Sequence, residues 1–303
     1  MNRQTKAYAY GVATVLIWST VASAFKLSLR HFDPLQLLLY ANVVSIATLF
    51  LVLAAQKKIY LLAHYRRREV LRCAGLGFLN PFLYYIVLFK AYDLLPAQEA
   101  QPLNYTWAIT LAILSIPLLK QRLGLRELGA ILVSYFGVIV ISTHGDPLSL
   151  HFSNPLGVAL ALASTVIWAL YWIYNTKDRN DPVASLFLNF VFGFPFVLAA
   201  TVIFSSIPAP WGPGLWGAAY VGVFEMGITF VLWLNALRLS STTAKVSTLI
   251  FFSPFLSLVF IHFFVGEDIR LSTIVGLVFI VIGNVLQQLA NRKPSAACAG
   301  DGS

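Results

Sequence analysis

Three ionisable side chains stand where the surrounding residues leave little room for water. Glu99 lies in AQEAQPLNYTWAITLAILSIPLL (97–119), a stretch whose first half also carries Gln101, Asn104 and Tyr105 and whose second half is oil-like. Glu225 interrupts GAAYVGVFEMGITFVLWL (217–234), and Lys245 stands a few residues before the apolar run TLIFFSPFLSLVF. A carboxylate in such a place can hold or release a proton, accept hydrogen bonds or pair with a cation, and an ammonium can attract a carboxylate. Covalent and hydrolytic chemistry has no comparable support. HExxH, CxxC, GxSxG and GxxxxGK[ST] are all missing, and His31, His64, His144, His151 and His262 fall in no metal-ligand spacing. No catalytic residue, metal or cofactor is therefore expected, and neither enzymatic activity nor ATP hydrolysis.

The elements that must position these groups follow from composition. Of 303 residues, 58% are hydrophobic and 11% charged, against roughly 25% charged in a soluble domain. Mean hydropathy is +0.77. The apolar segments repeat at about the 20 residues a helix needs to cross the hydrocarbon. Spans are predicted at 7–27, 35–55, 71–91, 97–119, 125–143, 155–175, 183–205, 214–237, 242–264 and 272–290, the third and eighth weakened by Gly75, Gly77, Pro81, Gly217, Gly222 and Gly227. The fold class is all-α integral membrane with ten transmembrane helices. An apolar run behind Arg3 and Lys6 that ends in VASA resembles a signal peptide, but it is long for one and its removal would leave nine spans.

Lys and Arg fall mostly in the loops on one side, above all in KKIYLLAHYRRREVLR (57–72), while Lys26, Arg30, Lys90 and Arg270 fall on the other. That asymmetry puts both termini in the cytoplasm. It also explains the net charge of +9 without nucleic acid, through contact with anionic lipid. Cys73 and Cys298 form no disulfide framework.

The two halves echo each other. Trp18 and Trp168 come early in each; Asp33-Pro34 and Asp181-Pro182 precede the following span; Ala91 aligns with Ala236, Gly129 with Gly276 and, less closely, Gly137 with Gly283. Five spans per half is an odd number, so the second half enters the membrane from the opposite face. The chain reads as two inverted-topology five-helix repeats, residues 1–150 and 151–290, followed by a small, polar, disordered cytoplasmic tail, 291–303. Repeats of this kind belong to carriers that expose a midplane site to each side in turn.

A polar group unpaired inside a span costs roughly 2–7 kcal/mol, so each should face a partner, a cavity or the surface. Glu99, near the start of the fourth span, is expected in the outer third, held by free helix N–H groups, paired with Lys90 or Lys26, or facing a cavity. Glu225 lies about 20 Å from the cytoplasmic end of its span at 1.5 Å per residue. It is the leading candidate for proton coupling, with Glu99 second; the plainer reading is a neutral acid bonded to a neighbouring helix. Lys245 either snorkels to the cytoplasmic surface or faces the pathway and attracts a carboxylate. Pairing of Glu99 with Lys245 is not expected, because their helices run in opposite directions. Asn80, Tyr84, Tyr85, Asn104, Tyr105 and Trp107 gather in spans three and four, with Trp18, Trp168 and Trp172 adding rings. Rings beside carboxamides suit an organic solute that has both ring and polar groups. The cavity residues expected are Trp18, Asn80, Tyr84, Glu99, Gln101, Asn104, Tyr105, Trp107, Trp168 and Lys245. Leu111, Ile113, Ile116 and Leu118 are expected to fill a packed, closed end.

The early tryptophans of each half, FFSPFLSLVF (251–260), Gly266-Glu267-Asp268-Ile269 after span nine and Gln121-Arg122-Leu123 after span four together resemble the drug/metabolite transporter superfamily, in particular its EamA type, over residues 7–290. EamA-type halves often carry Gly-Glu-Arg-Leu at those two places; here Arg-Leu is lost from one and Gln replaces Glu in the other. Asn104-Tyr105-Thr106-Trp107 is similar to the Asn-Tyr-Leu-Trp stretch of bacterial aromatic amino acid exporters, with Thr106 departing from it and Ala108 where proline often follows. The resemblance implies a gradient-driven carrier of the bacterial inner membrane, exporting small metabolites such as aromatic or other amino acids and acting as a monomer or weak dimer. Lipid and protons are its other expected partners. Uptake or exchange of another metabolite such as a nucleotide sugar, or a non-transport scaffold, is the alternative.

Overall fold

The Asp-Pro pairs are helix starts. Asp33 caps helix α2 (Pro34–Ala55), accepting from the N–H groups of Leu35 and Gln36 at 2.9 and 3.0 Å, and Gln36 returns a bond to the Asp33 backbone. Asp181 does the same for α9 (Pro182–Phe204) through Val183 and Ala184. Proline at the first helical position loses no bond, because the N–H it lacks would be unpaired anyway.

The computed structural model describes residues 2–119, 124–146, 148, 154–175, 178, 180–207, 209, 211–240 and 248–290, and every regular element among them is helical. Besides α2 and α9 these are α1 (Arg3–Ser28), α3 (Arg67–Gly77), α4 (Tyr84–Leu94), α5 (Ala97–Asn104), α6 (Trp107–Leu119), α7 (Leu125–Ser142), α8 (Pro155–Asn175), α10 (Pro213–Tyr220), α11 (Thr229–Leu239), α12 (Ser253–Phe260) and α13 (Leu271–Ala290). Among the described residues seven helices are long and apolar enough to cross a membrane, and two shorter apolar helices, Leu128–Ser142 and Leu249–Val265, accompany them. Large apolar side chains such as Leu51, Ile203, Phe204 and Trp216 point outward. In water such a surface would be a liability; in lipid it is the expected face. The chain is a multi-pass membrane protein.

Two of these spans are broken, as is the α5–α6 pair. Between α3 and α4 a π-type stretch, Phe78–Leu83, leaves Asn80 with extended backbone ahead of Pro81. A second π-type stretch, Val221–Ile228, joins α10 to α11, and α5 and α6 part at Tyr105 and Thr106. Membrane helices tolerate such breaks where neighbours fill the gaps. Pro81 lies against Gly193, where an added Cβ would meet its ring at 2.8 Å, and Gly222 lies against the carbonyl of Ala41. Helix α7 crosses α13 closely, and Gly137 and Gly276 each approach the other's backbone carbonyl. Small residues let membrane helices approach this closely. Gly137 and Gly283 are corresponding positions of the sequence repeat; in space Gly137 meets Gly276, and Gly283 meets Ala130.

The bundle has two unlike ends. Lys26 Nζ, late in α1, donates to the carbonyls of Tyr92 and Leu95, both at 2.7 Å. Gly157, early in α8, packs on Leu95, and the Arg270 N–H just before α13 donates to Gln98. The ends of α1, α8 and α13 that meet the α4–α5 turn are thus fixed, and Arg3, Asn175 and Ala290 lie at the other, terminal end. There the α2–α3 connection is tied to the α8–α9 connection by Lys58–Asp181 at 2.7 Å and by Arg72–Asp178.

Asp181 gives that end an acid-sensitive tie. Burial acts to raise its carboxyl, but the Lys58 hydrogen bond, the N–H groups of Ala184 and Val183 and the Lys58 charge outweigh it and hold the group below the usual range. A lowered folded-state value gives stability that is present above the unfolded value, 3.8, and lost as pH falls through the folded one. The melting temperature of the purified protein should therefore drop on acidification below about pH 4. Asp181→Asn should flatten part of that drop, and Asp181→Ala should cost about 1 kcal/mol at neutral pH through the lost cap. An acid slope in Asp181→Asn as steep as in the parent protein would remove Asp181 from the account.

Candidate functional site

The breaks surround a cavity of about 560 Å³, within the range of small-molecule sites. Its wall begins near Phe25 and Tyr92, passes the breaks, and runs to Ile173, Leu237 and Gln288 toward the terminal end. One side is a continuous file of rings. Trp233 and Trp18 have centroids 5.7 Å apart, Phe230 lies 6.5 Å from Trp18 and 5.9 Å from Trp168, and Trp168 lies against Tyr84 at 4.6 Å with the rings tilted by 30° and meets Trp172 edge-on at 5.8 Å.

Polar groups are set into this wall. Glu225, from the π-type stretch, accepts from Tyr85 Oη through Oε1 at 3.2 Å; the Trp18 indole N–H also approaches the carboxylate, and among the described residues its buried Oε2 has no closer hydrogen-bond partner. Asn104, the last residue of α5, donates to Ser164 Oγ at 3.0 Å and to Tyr84 Oη at 3.5 Å. Asn284 of α13 donates to the Tyr105 carbonyl at 3.2 Å, between α5 and α6, and its Oδ1 is left over. Gln101 Oε1, Gln287 Oε1 and Trp172 Nε1 are likewise buried without a protein partner. Buried polar atoms without partners are uncommon, and five on one cavity wall are hydrogen-bonding capacity available to something inside it.

Charged groups cross-link the α4–α5 end. Glu99, with 0% of its surface exposed, accepts from Arg270 Nη1 at 2.6 Å and meets His144 Nε2 at 2.9 Å. The Glu267 carboxylate caps α5, accepting from the N–H groups of Ala97 and Gln98 at 2.7 and 3.0 Å. The preceding Gly266 has φ +79°, a conformation glycine adopts at no steric cost. The Gln98 side chain donates to the Asp268 carbonyl and accepts from Arg270 N–H and Thr273 Oγ1. The Gly-Glu pair of the motif after span nine therefore serves to turn the chain and cap α5.

Of the residues expected to line the cavity, Trp18, Tyr84, Gln101, Asn104, Tyr105, Trp107 and Trp168 do so, together with Glu225. Two do not. Asn80 is wholly buried beside Tyr171; its extended backbone breaks the helical register that would have put it on the same face as Tyr84. Glu99 is two positions from Gln101, about 200° around a helix, so the two cannot share a face. It does not pair with Lys90 or Lys26 either: Lys90 bonds Asp93, and Lys26 bonds backbone carbonyls. Lys245 and Gln121-Arg122-Leu123 lie outside the described residues. Leu111 lines the cavity and Leu118 is exposed, so they do not share one packed end. The sequence reading missed Trp233, Asn284 and Gln287 on the wall, and His144 and Arg270 at the seal. Asn284 and Gln287, three apart in an otherwise apolar span, share a helix face and had a signal to find.

Membrane-crossing helices that break part-way and enclose a cavity with polar groups set into an aromatic wall are the architecture of a membrane transporter. The chain belongs to the EamA-like transporter family, which it matches at residues 5–143 and again at 155–287. It is 27% identical over 293 residues to the uncharacterized transporter YvbV of Bacillus subtilis, covering 94% of this chain and 92% of that one. It is 28% identical over 210 residues to an uncharacterized transporter of Clostridium kluyveri, covering 63% and 66%. A crystal structure at 20% identity superposes over 95% of this chain and 98% of its own with a TM-score of 0.66, a likeness of fold.

Proposed function

We propose that the protein is a gradient-driven carrier that exports small organic metabolites, amino acids among them, by alternating access through this cavity. The observation that carries the reading is the contrast between the ends: a wall of rings and unpartnered polar atoms runs toward the terminal end, while Glu99, Arg270, His144 and Glu267 close the other. Alternating access needs one closure at a time, and ion pairs between halves are closures that can break.

Ten spans in two inverted five-helix repeats, divided near residue 150, are part of this reading. Two separate family matches, one in each half, support it. So does exchanged packing: α4 packs on α8 as α11 does on α1, and α6 packs on α8 as α12 does on α1. With Ala91 aligned on Ala236, Asn80 corresponds to Glu225, and both fall in π-type stretches. Basic residues crowd the terminal end, which supports a bacterial inner-membrane protein with cytoplasmic termini. The cavity then faces the cytoplasm, the side from which an exporter loads. Glu225 is the group assigned to proton coupling.

Counterflow of labelled amino acids in proteoliposomes tests the function. Aromatic amino acids should exchange, and Trp107→Ala, which removes a ring from the wall, should slow exchange by about tenfold, the usual loss for one stacking contact of roughly 1–1.5 kcal/mol. Strong flux of sugar nucleotides with none of amino acids would replace the substrate, and no flux of any metabolite would end the carrier reading.

A further inference from the structure

The chemistry of the wall is lopsided, and on the carrier reading above this bears on the substrate. Among the described residues Glu225 Oε2 and Asn284 Oδ1 are buried acceptors without a close partner; the bonds of their sister atoms, to Tyr85 and to the Tyr105 carbonyl, set their orientations, and the Trp18 indole N–H faces the Glu225 carboxylate. Gln101 and Gln287 add two carboxamide oxygens, whereas the unpartnered donor on the wall is the Trp172 indole N–H. Among the described lining residues there is one carboxylate and no Lys, Arg or His. Around it stand Trp18, Trp168, Trp172 and Trp233. Indole faces attract cations, most strongly where water is excluded.

We propose that the cavity reads an organic ammonium: its ligand is a ring-bearing amine whose positive nitrogen is held by Glu225 and the neighbouring indoles, with the Asn284 oxygen as a further acceptor, and whose ring lies along the file from Trp233 to Tyr84. A free carboxylate on the ligand is not required. An amino acid is then recognised by its ammonium end. A ligand held first by its carboxylate would need a basic group, for which Lys245 is the candidate.

Intrinsic tryptophan fluorescence of the purified full chain in detergent supplies the test, titrated with four probes of similar size: phenethylammonium, phenylalanine, 3-phenylpropionate and 2-phenylethanol. Phenethylammonium should bind at least about tenfold more tightly than the alcohol or the anion. Glu225→Gln should erase most of that advantage, weakening the ammonium far more than the alcohol. Should Glu225→Gln not fold, Trp18→Leu must weaken the ammonium more than the alcohol. Equal binding of all four, preference for the anion with loss in Lys245→Ala, or binding of none overturns the proposal. Counterflow of other metabolites in any of those cases leaves the carrier reading standing, whereas the ammonium preference without flux of any metabolite would sink the carrier reading and keep the site.

Discussion

Arg270→Ala should open the α4–α5 end. Glu99 is wholly buried and Arg270 Nη1 approaches it at 2.6 Å, so removing the guanidinium takes one charged group from a buried carboxylate that His144 still meets. For a fully buried pair that loss is roughly 3–5 kcal/mol. The Arg270 side chain is 43% exposed, and solvent screening reduces the figure to about 2 kcal/mol. At 1.4 kcal/mol per decade this moves the balance between closed and open forms by about 30-fold. The measurement is labelling of Gln101→Cys, in a background with Cys73 and Cys298 replaced by Ser, by an impermeant thiol reagent added at the α4–α5 side. Labelling should rise by about that factor in Arg270→Ala and more weakly in His144→Ala. Lys90→Ala, which removes an exposed pair at the same end, should change nothing. Equal labelling in all four proteins would mean that the ion cluster is not the seal.

On the proton coupling proposed for Glu225, Glu225→Gln should uncouple transport from the proton gradient. Glutamine keeps the size of the side chain and an oxygen to accept from Tyr85, so the wall and the fold are retained, but it cannot take up or release a proton. Flux driven by a pH gradient should fall by about 100-fold, near the upper end of measured coupling between sites. Counterflow, which needs no net proton movement, should survive at reduced affinity. Proton-driven flux in Glu225→Gln equal to that of the parent protein would take Glu225 out of the coupling role. Tyr85→Phe should give a smaller loss, because the hydrogen bond it removes steers the carboxylate without replacing it.

Much of this molecule is local in origin and so was legible. A bilayer charges every segment separately for its polar groups, which is why hydropathy marked the seven helices that, among the described residues, are long and apolar enough to cross, and why Asp33-Pro34 and Asp181-Pro182 could be read as helix starts from neighbouring residues alone. The ring-bearing positions Trp18, Tyr84, Tyr105, Trp107 and Trp168 were also visible, since rings beside carboxamides in an apolar span are few.

Facing was another matter. Asn80 was misplaced because the backbone there is not helical, and helical spacing was the only rule available. Glu99 was given the wrong neighbours because its partner Arg270 is 171 residues away, in a loop that nothing in the local sequence ties to α5. Sequence by itself determined which segments enter the membrane and which residues there are worth questioning, because burial in lipid is settled residue by residue along the chain. Which of those residues meet, which end is shut and which oxygens are left without a partner were decided only when the helices of the two halves packed together, because each such contact joins groups brought within reach by the whole bundle.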